Sequence, residues 1–304
     1  MTTPVYLNGE FLSLDDARAS AFDAGLQHAV GLFETLLVVR PDPADPDASP
    51  RAHRLVEHLD RLATSARELG LVSRLGTDAL AEAVLLTADR SGVLEHHDRA
   101  RVRITITGGS ANLLKAEAPH RPTVLVVAQP PTPYPDALFE HGARVVLADA
   151  RLNPLNPLES HKTLNYWMRL RELQAAAAQG AAEALMLQVS NHLAGGCVSN
   201  CLLIKNGTLL TPIARGEEQP GALPSPVLPG ITRASLLEHA RELGLTTEPR
   251  MLAIDEVLDA DEVMLTNSSW GVMPVVAVES RPIASGEPGP VTRQLRARWL
   301  AELS

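Results

Sequence analysis

The 304-residue chain predicts an α+β fold in two domains. Segments with the period of a helix and segments that alternate or run apolar like strands are mixed along it, without regular β-α-β alternation. No G-x-G-x-x-G follows a strand, which argues against a dinucleotide-binding domain. Residues 129–135 (QPPTPYP) carry four prolines in seven positions and cannot hold regular structure, so they mark a linker. The length is enough for a buried core on each side of it.

Each element follows from local pattern. Residues 5–7 read as a strand running into Asn8-Gly9-Glu10, the Asn-Gly signal of a tight hairpin. Residues 35–40 (TLLVVR) form a second strand, and a Pro/Asp/Ala loop follows over 41–50. Over 54–70, Leu55, Leu59, Leu62, Ala66 and Leu69 recur at helical steps and Gly70 stops the helix. Arg54, His58 and Arg61 make a basic stripe on another face of it. Residues 77–90 are a second helix. Residues 101–107 (RVRITIT) alternate as a half-buried strand does and end in Gly108-Gly109; 123–128 is a buried strand.

Beyond the prolines the expected order is a strand at 143–148, a proline-broken loop at 153–159 and a helix over about 160–180. Strands follow at 184–189, 201–205 and 208–210, then a Pro/Gly segment at 219–230 and a helix over 232–243 closed by Gly244. Strands at 262–266 and 274–278 and a C-terminal helix complete the chain. The expected domains are a small N-terminal one over 1–128, a linker over 129–138 and a larger C-terminal one over 139–304 that carries Lys162.

With 27 basic and 36 acidic side chains the net charge is −9, which argues against a broad nucleic-acid surface. Aromatic residues are 3% of the chain, too few for base-stacking platforms. Two cysteines, Cys197 and Cys201, give neither a disulfide framework nor a four-cysteine zinc site, and no metal is expected. The first sixteen residues do not read as a signal peptide, and no run reaches the roughly 20 apolar residues of a membrane span. The expected location is the cytoplasm.

Three features point to chemistry, each beside a plainer reading. Lys162, in Ser160-His161-Lys162-Thr163-Leu164, stands at the expected start of an apolar helix, where the dipole and apolar neighbours favour the neutral amine that Schiff-base chemistry needs. A surface lysine at a helix end is the other reading. Leu228-Pro229-Gly230-Ile231-Thr232-Arg233 leads into a helix whose first N–H groups suit an anion, or is an N-cap by Thr232. Leu265-Thr266-Asn267-Ser268-Ser269-Trp270-Gly271 is a hydroxyl-rich turn, either an anion nest or a turn satisfied by its own side chains. Together with Arg54 and Arg61 they suggest a phosphorylated carbonyl cofactor.

The ordered set NG…FDAGLQHAVGLFET, HLDRL, HKTLNYW, VSNCLLIKNGTLLTP, LPGITR and ADEVMLTNSS…VMPV, spanning residues 8–278, resembles the fold type IV family of pyridoxal-phosphate enzymes, the class IV aminotransferases. Branched-chain and D-amino-acid aminotransferases, (R)-amine transaminases and aminodeoxychorismate lyases belong to it. The resemblance implies a two-domain architecture with the active site in the interdomain cleft, pyridoxal 5′-phosphate as cofactor and a homodimer. It implies that Lys162 holds the cofactor as a Schiff base and shuttles the substrate proton, and that Arg61 grips the phosphate. Ile231 and Thr232 match the helix N-terminus that cradles the phosphate, and Asn267 and Ser268 the turn that adds phosphate and carboxylate contacts. Phe33, His28, Gly108 and Trp270 match positions on the substrate side.

One departure stands out. Where the family has a Glu-Gly pair, this chain has Gly195-Gly196, so the carboxylate expected at the pyridine nitrogen is missing. A lost charged hydrogen bond is worth about 1.5–3 kcal/mol. Glu183 matches a position the family also occupies and reads as structural. His28 stands where the family has Tyr or Phe, and reads either as a polar group near the cofactor or as an ordinary buried imidazole. No Arg-x-His pair is read after Gly109, which disfavours the D-amino-acid branch. The expected activity is aminotransfer between a small amino acid or amine and a 2-oxo acid. The alternatives are a pyruvate-eliminating aminodeoxychorismate lyase, toward which the VMPV sequence leans, and a cofactor-binding homologue with weak or altered activity because of Gly195.

Overall fold

The computed structural model describes residues 4–40, 49–110 and 121–304. Most of the loop read over 41–50, and most of the stretch after Gly109 searched for an Arg-x-His pair, lie outside the described residues. The chain divides into two compact units. The first comprises Met1–Thr132, His161–Asn165 and Leu303–Ser304; the second comprises Pro133–Ser160 and Tyr166–Glu302.

The first unit holds β1 (Pro4–Leu7), β2 (Glu10–Ser13), α1 (Ala24–His28), β3 (Gly31–Val39), β4 (Arg51–Ala52), α2 (Leu55–Glu68), α3 (Thr77–Arg90), β5 (Arg99–Thr107) and β6 (Val124–Gln129). Its strands form one antiparallel sheet in the order β2-β1-β6-β5-β3-β4. Asn8 and Gly9, both at positive φ, close the β1–β2 hairpin as the dipeptide predicts. Along β5, Ala100, Val102, Ile104 and Ile106 are buried while the arginines and threonines between them face the other way. They share one core with Leu36 and Val38 of β3, Leu59, Leu62 and Ala66 of α2, and Ala83 and Val84 of α3. Each fully buried leucine or isoleucine there contributes about 2 kcal/mol.

β3 begins at Gly31, four residues before the apolar run the sequence shows, because it pairs with β5 all the way from Gly31↔Thr107 to Val39↔Arg99. The charged Glu34 hides that extension from a local reading.

The second unit holds α4 (Ala137–Glu140), β7 (Ala143–Leu152), α5 (Trp167–Ala178), β8 (Glu183–Gln188), β9 (Leu193–Gly196), β10 (Asn200–Lys205), β11 (Thr208–Thr211), α6 (Ile231–Glu242), β12 (Thr246–Pro249), α7 (Ile254–Leu258), β13 (Glu262–Asn267), β14 (Gly271–Val278), β15 (Arg281–Pro282) and α8 (Pro290–Leu303). Its sheet runs β12-β11-β10-β13-β14-β7-β8-β9, with β15 beside β14. The pairs β11/β12, β14/β7 and β7/β8 are parallel. Both faces are covered: Val145 and Val146, neighbours on β7, enter different core clusters. Four strands in a row from β10 to β7 are apolar on both sides, which is why the sequence shows runs there rather than alternation.

The helix expected over 160–180 starts only at Trp167. Before it, Ser160 has φ +66° and Thr163 pairs with Leu32 of β3 as an isolated antiparallel bridge. Phe33 N–H donates to Lys162 O (2.8 Å) and Leu164 N–H to Gly31 O (2.9 Å). Strand pairing therefore claims the backbone that a first helical turn needs, and Lys162 does not sit at a helix N-terminus. By the same contacts its segment belongs to the first unit, whereas the sequence pattern places it in the C-terminal domain. β9, β12 and α7 are too short and too polar or glycine-rich to show in the pattern. Among the described residues no helix is long and apolar enough to cross a membrane.

Candidate active site

The first unit gathers its chemistry at the start of β3. Phe33 and Glu34 are neighbours and so point to opposite faces of the sheet. On Phe33's face, Lys162 Nζ lies 4.5 Å and Arg103 Cζ 3.9 Å from the ring centroid. Both cations are stabilised by the ring's negative face, and the ring itself is 7% exposed. Arg103 Nε also donates to Thr105 Oγ1 (3.3 Å). The lysine's backbone is held by β3, and the neighbouring His161 ties it to α2 through Ser65 Oγ (2.9 Å) and Glu68 (3.7 Å).

On the other face, Glu34 is 1% exposed and accepts three hydrogen bonds of 2.8 Å: Arg61 Nε at Oε1, and Arg61 Nη2 and His58 Nδ1 at Oε2. His58 and Arg61 are three residues apart on α2, so one helix face presents both. Burial opposes the charge on Glu34, but Arg61 and His58 outweigh it and hold the carboxyl far below the usual carboxylate range. Burial pushes the His58 imidazole down, and the cations of Arg61 and Lys162 add to that against the pull of Glu34. The downward shift favours the neutral ring, and since a carboxylate only accepts, His58 donates from Nδ1. Arg54, the third member of the stripe, has φ +49° and pairs with Glu57 at 3.6 Å.

One expectation changes here. His28 is exposed on the five-residue α1, so it is not a buried imidazole. Gly108 is buried and donates its N–H to Val30 O (3.0 Å).

The second unit offers backbone donors. α6 starts after Gly230 with no side-chain cap, so the N–H groups of its first turn, at Ile231 and Thr232, have no intrahelical acceptor; the N-cap is Gly230 and not Thr232. A Cβ at residue 230 would overlap Asn200 Oδ1, whose amide Nδ2 donates to Leu228 O (2.9 Å). Asn200 is the cross-strand partner of Thr266, so the two side chains share a face. Thr266 is 1% exposed and its Oγ1 has no hydrogen-bond partner among the described residues. An uncapped helix end, a glycine that admits close approach and an unsatisfied buried hydroxyl form a donor set suited to an anion such as a phosphate ester.

The turn after β13 is tighter than the sequence suggests. Asn267 Oδ1 accepts from Ser269 N (2.9 Å) and Trp270 N (3.0 Å), and Nδ2 donates to Val198 O (3.2 Å). The asparagine side chain is therefore spent on shaping the turn and leaves Ser268, half-buried, as its presenting residue. Trp270 is 6% exposed, packs edge-on to Tyr134 (5.4 Å) within the core and donates from Nε1 to Leu265 O (3.3 Å). Its bulk goes into the core.

Gly195 has φ +144°, and a Cβ built there would lie 2.8 Å from Ser199 O. Glu183 does not replace the missing carboxylate. It is 0% exposed and accepts from Val198 N (2.9 Å), Ser199 Oγ (3.0 Å) and Ala184 N (3.1 Å), bracing the turn that follows β9; burial raises its carboxyl. Burial also pushes both thiols, Cys197 and Cys201, up to about 12, so neither is a nucleophile.

Glu34, Arg103 and Thr266 escape the sequence reading. A carboxylate inside an apolar strand, and an arginine on the polar phase of RVRIT, are the signals that point to the first two; nothing local marks Thr266 off from any strand threonine.

The family model for class IV aminotransferases matches residues 31–278. A protein of Methanocaldococcus jannaschii assigned as a branched-chain-amino-acid aminotransferase is 29% identical over 97% of this chain and 94% of its own. The T.th. branched-chain amino acid aminotransferase, solved with pyridoxamine 5′-phosphate, superposes with TM-score 0.86 at 26% identity, covering 100% of this chain and 94% of that one. The branched-chain amino acid aminotransferase of Escherichia coli has the same fold, with TM-score 0.86 at 24% identity over 99% of this chain and 94% of its own.

Proposed function

Since the chain belongs to the class IV aminotransferase family, we propose that it moves an amino group between a small amino acid or amine and a 2-oxo acid, with pyridoxal 5′-phosphate bound at Lys162. The observation that carries this reading is the placement of Lys162: its backbone is pinned to β3 and its amine is set on the Phe33 ring, in the unit that also holds the buried Glu34–Arg61 pair. When bound, the cofactor supplies an aldehyde carbon and an electron-accepting ring.

This chain's residues do the rest. Lys162 Nζ would hold the cofactor and, once released, carry the proton to and from the substrate α-carbon. Arg61 would serve the phosphate as a charged donor, and the N–H groups of Ile231 and Thr232, with Ser268, would serve as neutral ones. Phe33 and Arg103 would lie beside the amine, and Asn267 would hold Ser268 in place. A homodimer and a cytoplasmic location belong to the same reading.

Gly195 favours a second reading, weak or altered turnover, because no carboxylate stands at that position and its backbone is set for glycine. Lyase activity is the remaining variant.

The test is a single turnover. Cofactor-loaded protein is mixed with L-amino acids, D-amino acids and amines in turn, and one equivalent of 2-oxo acid (or of aldehyde or ketone from an amine) per cofactor is expected from one class. No carbonyl product from any class, with pyruvate released from aminodeoxychorismate, would replace the transferase by the lyase. Borohydride trapping followed by peptide mapping should label Lys162, and Lys162→Ala should lose both the label and turnover, by about 10²–10⁴-fold or more; label retained elsewhere would sink the lysine assignment.

A further inference from the structure

The buried charges on α2 and β3 are arranged more elaborately than an anion grip alone requires. An arginine offered to a phosphate from a helix surface needs no carboxylate behind it, and a carboxylate there lowers the local positive potential. Yet Glu34 is 1% exposed and takes the whole Nε–Nη2 edge of Arg61 in a side-on bidentate pair, both bonds 2.8 Å. Its second oxygen is fixed again by His58 Nδ1 at 2.8 Å, and His58 is itself 1% exposed.

Three features make this a positioning device. The pair fixes the plane of the guanidinium, so an anion can be met only by the hydrogens that Glu34 does not take, on Nη1 and the outer side of Nη2. Arginine is a long side chain with many rotamers, and ordering it before binding removes that cost from the binding step. Glu34 cannot wander either, because it extends from a central strand paired with β5 on one side and is clamped by two residues of one helix face on the other.

We propose that Glu34, anchored by His58, is a positioning residue for Arg61 that presets its guanidinium for the phosphate of the cofactor. The inference rests on the cofactor reading above and deepens it: it assigns phosphate recognition in the first unit to a three-residue relay, Glu34–His58–Arg61, in which one member touches the ligand.

Two alternatives make opposite forecasts. If Glu34 acts only through charge, removing it raises the positive potential and tightens phosphate binding. If it is only a structural pair, its loss lowers stability and weakens every ligand of the site alike. Positioning predicts a selective loss.

The experiment titrates the full-length protein, freed of cofactor, with pyridoxal 5′-phosphate and with pyridoxal, for wild type and Glu34→Gln, with melting curves to show that each is folded. Wild type should bind the phosphate ester far more tightly than pyridoxal; equal affinities would sink the cofactor reading itself, before any variant is considered. In Glu34→Gln the affinity for pyridoxal 5′-phosphate should fall about ten- to a hundredfold, with pyridoxal changed less than about threefold. A ratio of the two affinities that is unchanged or larger in folded Glu34→Gln overturns the proposal. Should that variant not fold, Glu34→Asp keeps the charge, withdraws it by one methylene and is judged on the same ratio. His58→Asn, which leaves the ion pair and loosens one anchor, should shift the ratio in the same direction by a smaller factor.

Discussion

The candidate binding groups of the first unit are charged side chains, Arg61 and Lys162, each braced by a neighbour: Glu34 with His58 for one, the Phe33 ring for the other. The second presents backbone N–H groups at the start of α6 and a hydroxyl turn, shaped by Gly230, Asn200 and Asn267. Side-chain charge is strong but has to be held still and kept ionised. Backbone donors are fixed by the fold but need room for close approach. The first unit should therefore break when a partner or a proton is changed, and the second when a methyl group is added.

Glycine-to-larger changes in the second unit sharpen this most. Gly195→Glu, the obvious attempt to restore the family's carboxylate, has to adopt φ near +144° and places Cβ 2.8 Å from the Ser199 carbonyl. It should cost about 3 kcal/mol of stability and leave transamination unchanged or lower, measured by denaturant titration beside turnover. A stable variant with raised turnover would show that β9 relaxes to take the side chain. Gly230→Ala comes next. Its methyl displaces Asn200 Oδ1 and with it the bond to Leu228 O, for about 1–2 kcal/mol and weaker binding of pyridoxal 5′-phosphate by equilibrium dialysis.

The first unit is probed by acid. His58 has its folded pKa below the ordinary 6.5, so the unfolded chain takes up the proton first and stability falls as pH drops below about 6.5. The slope it adds approaches about 1.4 kcal/mol per pH unit. Glu34 is also depressed, so its contribution is full above about 4.5 and is lost only as pH falls below that toward its folded value. Melting temperature between pH 8 and 5 should thus drop less steeply in His58→Asn than in wild type; parallel curves would mean that His58 is charged in the folded protein. Smallest of all, Thr266→Val removes a buried hydroxyl that has no partner among the described residues. Stability of the cofactor-free protein should stay within about 0.5 kcal/mol or rise, while affinity for pyridoxal 5′-phosphate falls a few-fold if the hydroxyl serves the anion.

The same contrast explains what was legible in the sequence. Elements whose pattern is local, such as the alternation of β5 and the leucine period of α2, read directly. Their surroundings did not. Leu164, Leu170 and Leu173 continue a helical period back toward Lys162, yet Thr163 is claimed by Leu32, about 130 residues earlier, and no local rule sees that. Glu34 reads as an interruption of an apolar strand until α2 supplies His58 and Arg61. Asn267 and Trp270 are the right residues for a binding turn, but which way each side chain goes was decided by the Ser269 and Trp270 amides and by Tyr134. Residue types announce chemistry; only long-range pairing says which of them are free to perform it.

The lysine segment carries a consequence for how the molecule is made. His161–Asn165 counts with the first unit although it is flanked on both sides by chain of the second. A ribosome has delivered all of Met1–Thr132 before it reaches this stretch, so the Phe33 amide waits for its acceptor, Lys162 O, until the chain has passed the proline-rich segment and all of β7. A fragment cut at Thr132 contains all six strands of the sheet and lacks the amine. The N-terminal unit starts first and receives its lysine only after the second has begun to emerge.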